Sequence, residues 1–109
     1  MPYSKSLAAR IEDALARRQG VTQKKMFGGV AFLLHGNMLV GVWQDSLIAR
    51  LGPEQGEAAL AEEFVRPFDV TGRPMKGWAM IEPEAIDTDE QLRGWIDRAS
   101  EFVGTLPRK

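Results

Sequence analysis

The sequence predicts an α+β domain, a two-layer arrangement with an antiparallel sheet of about five strands and helices packed on it. Three observations predict it. Residues 30–50 form an apolar meander broken by tight-turn residues. Both ends of the chain carry apolar residues recurring at steps of three and four. Two further short apolar runs, 68–70 and 77–81, flank a Pro- and Gly-containing link. In chain order the elements read α-β-β-β-α-β-β-α.

The first helix is expected over residues 4–18. Ser4 is its N-cap, Leu7, Ala8, Ile11, Ala14 and Leu15 form its stripe, and Gly20 stands where a glycine stop belongs. Lys24-Lys25-Met26-Phe27-Gly28-Gly29 follows as a basic lip leading into the first strand. A double glycine entering a strand marks a bulge, or a place where a backbone or ligand approaches closely. Freed amides at such a bend, beside Lys24 and Lys25, are able to hold an anion. The spacing of a phosphate loop, Gly-x-x-x-x-Gly-Lys-Ser/Thr, is absent.

Val30–Leu34 and Met38–Trp43 are rich in β-branched and aromatic residues, and His35-Gly36-Asn37 between them reads as a hairpin turn. Apolar groups lie on both faces of these strands, which places them centrally in the sheet. Gln44-Asp45 turns into a third strand, 46–50. Gly52-Pro53 opens a second helix over about 53–64, weakened by Gly56 and ended at Arg66-Pro67. Phe68-Asp69-Val70 and Gly77–Ile81 are the last two strands. The link between them places Arg73, Met75 and Lys76 beside Trp78, a mixture favoured on binding surfaces. In the final helix Asp87 and Glu90 match a capping box, and Leu92, Trp95, Ile96, Ala99, Phe102, Val103 and Leu106 form the stripe before Pro107.

Residues 1–109 are expected to form a single domain, with the composition of an ordinary soluble protein at 44% apolar and 27% charged residues. There is no cysteine, and hence neither a disulfide framework nor a thiolate metal site. No apolar run reaches the ~18 residues of a membrane helix, and the expected location is the cytoplasm. Net charge is −1, yet residues 1–50 hold seven Lys or Arg against three acids, and residues 51–109 hold seven against twelve. Such asymmetry fits acidic solvated faces on the last helices, the favoured reading, or a basic face for an anionic partner, in which case the positive residues of the first half cluster on one face.

Several of these segments carry a resemblance when taken in order: Lys24–Gly29, Gly36-Asn37-Met38, Gly41-Val42, Arg50-Leu51-Gly52, Pro67-Phe68-Asp69, Gly72–Trp78 and the Leu92 to Trp95 spacing. Over essentially its whole length the chain resembles the TfoX N-terminal domain family. The resemblance implies a curved antiparallel sheet of the secretion-chaperone-like type and a role in regulating competence for DNA uptake. It supplies no catalytic residues.

The residues point the same way. His35 is the sole histidine and there is no cysteine, so a zinc site of three or four N or S ligands cannot be assembled. Ser4, Ser6, Ser46 and Ser100 lack the context of a nucleophile. The acids Glu62-Glu63 and Asp87, Asp89 and Glu90 sit at helix ends, where charges serve the dipole and solubility. No enzyme, cofactor or metal is expected. The leading reading is a regulatory or adaptor domain that binds a protein partner through a sheet edge or the lip of Met26, Phe27, Met75 and Trp78. One alternative is a nucleic-acid-binding module using Arg17, Arg18, Lys24, Lys25, Arg73 and Lys76. Another is a site for a small anion at Gly28-Gly29. An uncovered sheet edge would also pair with a second copy of the chain.

Overall fold

The computed structural model describes residues 3–26, 28–68 and 76–108. Among these residues, three helices pack on a six-stranded, fully antiparallel sheet. Helix α1 (Lys5–Leu15) leads into strands β1 (Val21–Met26), β2 (Gly29–Leu34), β3 (Asn37–Trp43) and β4 (Ser46–Arg50). Helix α2 (Pro53–Ala59), strands β5 (Val65–Pro67) and β6 (Trp78–Ile81), a 3-10 turn (Pro83–Ala85) and helix α3 (Asp89–Val103) complete the chain. The sheet order is β1-β2-β3-β4-β6-β5, so β2, β3 and β4 are interior, as their two-sided apolar character requires.

The sheet has six strands because Val21–Met26 is itself a strand. Its sequence, Val-Thr-Gln-Lys-Lys-Met, lacks apolar alternation because it lies on the edge, and Thr22 to Lys25 are exposed. A strand, β5, lies at 65–67, just ahead of the one expected at 68–70, and α2 stops at Ala59 rather than near residue 64. Phe68 lies beyond β5; Asp69 and Val70 lie outside the described residues. The break has a local cause: Phe64 adopts φ 63°, and its carbonyl accepts from the Glu82 amide (2.8 Å), which starts the β5–β6 pairing.

Ser4 caps α1 by accepting from the Leu7 amide at 3.2 Å. The helix ends at Leu15, so Gly20 is not its stop. Gly20 turns the chain into β1 at φ 81°, and a Cβ there would run into the His35 imidazole. In the β2–β3 turn His35 and Gly36 take positive φ (52° and 86°), the pairing that suits a tight hairpin. Asn37 instead begins β3 and donates its side-chain amide to the Pro107 carbonyl at 2.8 Å. At the start of α3 the capping box sits one residue later than expected: Thr88 accepts from the Gln91 amide and Gln91 returns the bond to Thr88.

Two rows of side chains run across four strands, Val30-Val42-Leu47-Ile81 and Phe32-Val40-Ala49-Ala79. They form the core with Leu7, Ile11 and Leu15 of α1 and Leu92, Trp95, Ile96, Ala99 and Val103 of α3. A bulge opposite Phe32 and Leu33 makes Leu39 the extra residue of β3, and it is fully buried in that core. Burying each large aliphatic side chain contributes about 1.5–3 kcal/mol relative to exposure. No helix among the described residues is long and apolar enough to cross a membrane.

Candidate functional site

The residues singled out by sequence fall into two separated groups. Lys24 and Lys25 are exposed on the edge strand β1, opposite Ala31 and Val30 respectively, so they project to opposite faces of the sheet. Met26 closes β1 by pairing with Gly29. Its side chain, and all of Phe27, Arg73 and Met75, lie outside the described residues. Gly28 takes φ 75° with open space around it, whereas Gly29 lies against the Val42 carbonyl where no Cβ would fit. Backbone geometry alone therefore accounts for both glycines.

Lys76 is exposed in the turn before β6, and Trp78 is half-buried within that strand. Strands β2, β3 and β4 stand between β1 and β6, a spread of about 19 Å at ~4.8 Å per strand. Lys24 and Lys25 therefore stand four strands away from Trp78, while Phe27 and Met75 of the expected lip lie outside the described residues. Trp78 belongs to a different cluster: the Arg50 guanidinium lies 5.3 Å from its ring centre and 5.9 Å from that of Phe102, and Phe68 packs on the indole at 6.0 Å.

The positive residues of the first half do not cluster on one face. Arg10 reaches Asp89 (3.3 Å) and the Ile86 carbonyl (2.8 Å), and Arg18 reaches Asp97 and Ser100 (2.6 Å each). The charge asymmetry between the halves is partly resolved as ion pairs from α1 to α3. Both sheet edges are guarded against strand addition: β1 carries Lys24 and Lys25, and β5 has three residues ending in Pro67, which has no amide to donate. Ser4 is occupied in the α1 cap and Ser100 donates to the Ile96 carbonyl. Among the described residues no group of three or more His, Asp or Glu is placed to hold a metal.

A site that the sequence reading passed over lies where the α2–β5 connection meets the 3-10 turn and α3. Its floor is Phe64, Ala85, Gly94 and Trp95, and its rim is Glu62, Glu63, Glu84 and Glu90, around a groove of about 490 Å³. Trp95 is fixed by donating its indole N–H to the Ala85 carbonyl (3.3 Å). Arg98 stacks on the indole at 4.4 Å and pairs with Glu62 at 3.1 Å. Glu63, Glu84 and Glu90 have no ion-pair partner among the described residues, so the rim is a net negative field.

Leu60 and Phe64, at 37% and 42% exposure, are the large apolar side chains most open to solvent among the described residues, and both belong to this connection. Left-handed backbone costs a side-chain-bearing residue about 1–2 kcal/mol, and here it is spent on a phenylalanine that stays exposed. The signals were present in the sequence as Glu62-Glu63-Phe64 and as a glycine inside the strongest helix, but a carboxylate pair at a helix end reads first as a solvated cap.

The model of the TfoX N-terminal domain family matches residues 13–103. Comparison with curated proteins and with solved structures returned no match.

Proposed function

The chain belongs to the TfoX N-terminal domain family, and on that premise we propose that it is a regulatory, non-enzymatic domain of the cytoplasm that acts by binding a protein partner. One observation carries the protein-binding half of the proposal: Phe64 is exposed at a groove that Trp95 also lines. Exposed aromatic residues next to a concave apolar floor are the usual anchors of protein interfaces. Competence-type regulation is the context that the family resemblance supplies.

Binding to nucleic acid is the weaker alternative. Arg10 and Arg18 already have acidic partners, and the lysines of β1 flank two faces instead of forming one phosphate-tracking stripe.

Affinity capture from cell extract with the wild-type chain and with Phe64→Ser tests the proposal. A protein retained by the wild type and lost with the variant is the expected result. The same proteins held by both would remove this surface. Salt-sensitive micromolar binding of duplex DNA, seen by fluorescence anisotropy with no protein retained, would replace the reading with the nucleic-acid one.

A further inference from the structure

We infer that the groove over Gly94 receives a basic segment of the partner protein, whose backbone crosses α3 at that glycine. The inference rests on the protein-binding reading above and goes further by assigning the chemistry of the partner.

Gly94 is the central observation. It lies well inside α3, where glycine is less stable than alanine. A Cβ at this position would meet nothing within 4 Å among the described residues, so their packing gives no reason for its absence. Gly28 is equally open but its positive φ explains it, whereas a Cβ on Gly52 would strike the Phe102 ring and one on Gly56 would strike the backbone of Gly77. Glu90, Gly94 and Arg98 follow one another at steps of four, so they share one ridge of the helix. The glycine is a notch in that ridge, open to the groove that Phe64 and Trp95 floor. A notch of this kind lets another backbone come close to the helix.

Charge selects what enters. Glu63, Glu84 and Glu90 stand around the notch without partners among the described residues, while Arg98 is taken up by Glu62 and the Trp95 ring. Lysine or arginine flanking an apolar residue would meet the rim with its charges and Phe64 with its apolar side chain. A phosphate backbone would be repelled. A divalent cation is disfavoured because no three of these carboxylates converge.

The test uses a phage-displayed library of random dodecapeptides panned on the intact wild-type chain. The expected enrichment is an excess of Lys and Arg around an aromatic or aliphatic residue. A synthetic peptide of the enriched sequence should bind with fluorescence anisotropy that is lost at about 1 M NaCl, where the Debye length is about 3 Å. Gly94→Ala, and separately the pair Glu63→Lys and Glu90→Lys, should each weaken it about tenfold or more. Thermal melts of both variants confirm that they are folded.

An enriched pool that is neutral or acidic, no enrichment, or full affinity in Gly94→Ala would each overturn the inference. So would concentration-dependent self-association of the wild type that Gly94→Ala abolishes, since the occupant would then be a second copy. Capture of a partner that is lost with Phe64→Ser but kept with Gly94→Ala would leave the protein-binding reading standing and remove only this refinement.

Discussion

Replacing Gly56 and Gly94 by alanine, one at a time, should move stability in opposite directions although both lie within helices. The intrinsic gain of alanine over glycine in a helix interior is about 1 kcal/mol in each case. At Gly94 nothing opposes it, because the new methyl meets no atom within 4 Å. Melting should rise by about 4–8 °C for a chain of this size. At Gly56 the methyl would lie 2.8 Å from both the Cα and the carbonyl carbon of Gly77, against a comfortable carbon–carbon separation of about 3.5–4.0 Å. Gly77 cannot simply retreat, since its carbonyl accepts from the Leu51 and Gly52 amides at 2.8 and 3.0 Å. Relieving the overlap costs about 1–3 kcal/mol of overpacking plus about 1 kcal/mol for each hydrogen bond disturbed. With both bonds disturbed, the net loss is about 2–4 kcal/mol. Urea denaturation followed by circular dichroism and by tryptophan fluorescence measures both variants. Two shifts of the same sign, or a stabilised Gly56→Ala, would refute the assignment of these glycines.

Three further outcomes are expected. Thr88→Ala should cost about 1 kcal/mol by removing the cap of α3, whereas Asp87→Ala should be close to neutral, and urea midpoints distinguish them. Leu39→Ala, at the bulge residue buried in the core, should cost about 2–5 kcal/mol in the same assay. Arg18→Ala should cost less than about 1 kcal/mol, with the difference shrinking at high salt, because the Asp97 pair is partly solvated.

The elements with a strong period are legible in the sequence. Leu92, Trp95, Ile96, Ala99 and Val103 are the buried stripe of α3, and β2, β3 and β4 form the meander read from 30–50. Edge elements were not legible. Strand β1 buries little, so nothing in Thr-Gln-Lys-Lys alternates, and its existence follows from pairing with β2. The start of β5 depends on the left-handed turn at Phe64, a conformation that no side-chain preference announces. Asp87 and Thr88 both qualify as caps by residue type, and only the reciprocal bond with Gln91 decides between them. As for the site, Gly28 and Gly29 stood out because paired glycines at a strand entry are conspicuous, yet the turn and the Val42 carbonyl account for them. Gly94 did not stand out, because the meaning of a helical glycine lies in what surrounds its missing Cβ.

The ion pairs between α1 and α3 also set an order in time. Arg10 and Asp89 are 79 residues apart, so at about 5–20 residues per second a ribosome takes about 4–16 s to deliver the partner of the first helix. Hairpins such as β2–β3 close within about 10 μs, and the meander therefore has ample time to assemble beneath an α1 that still lacks its neighbour. Throughout that interval the nascent chain carries the stripe of Leu7, Ile11 and Leu15 with only part of its final cover. Because α3 supplies Glu90, Gly94, Trp95 and Arg98, the groove is completed only after the meander has been synthesised. A prematurely terminated chain would display the exposed Phe64 without the wall that gives the groove its selectivity.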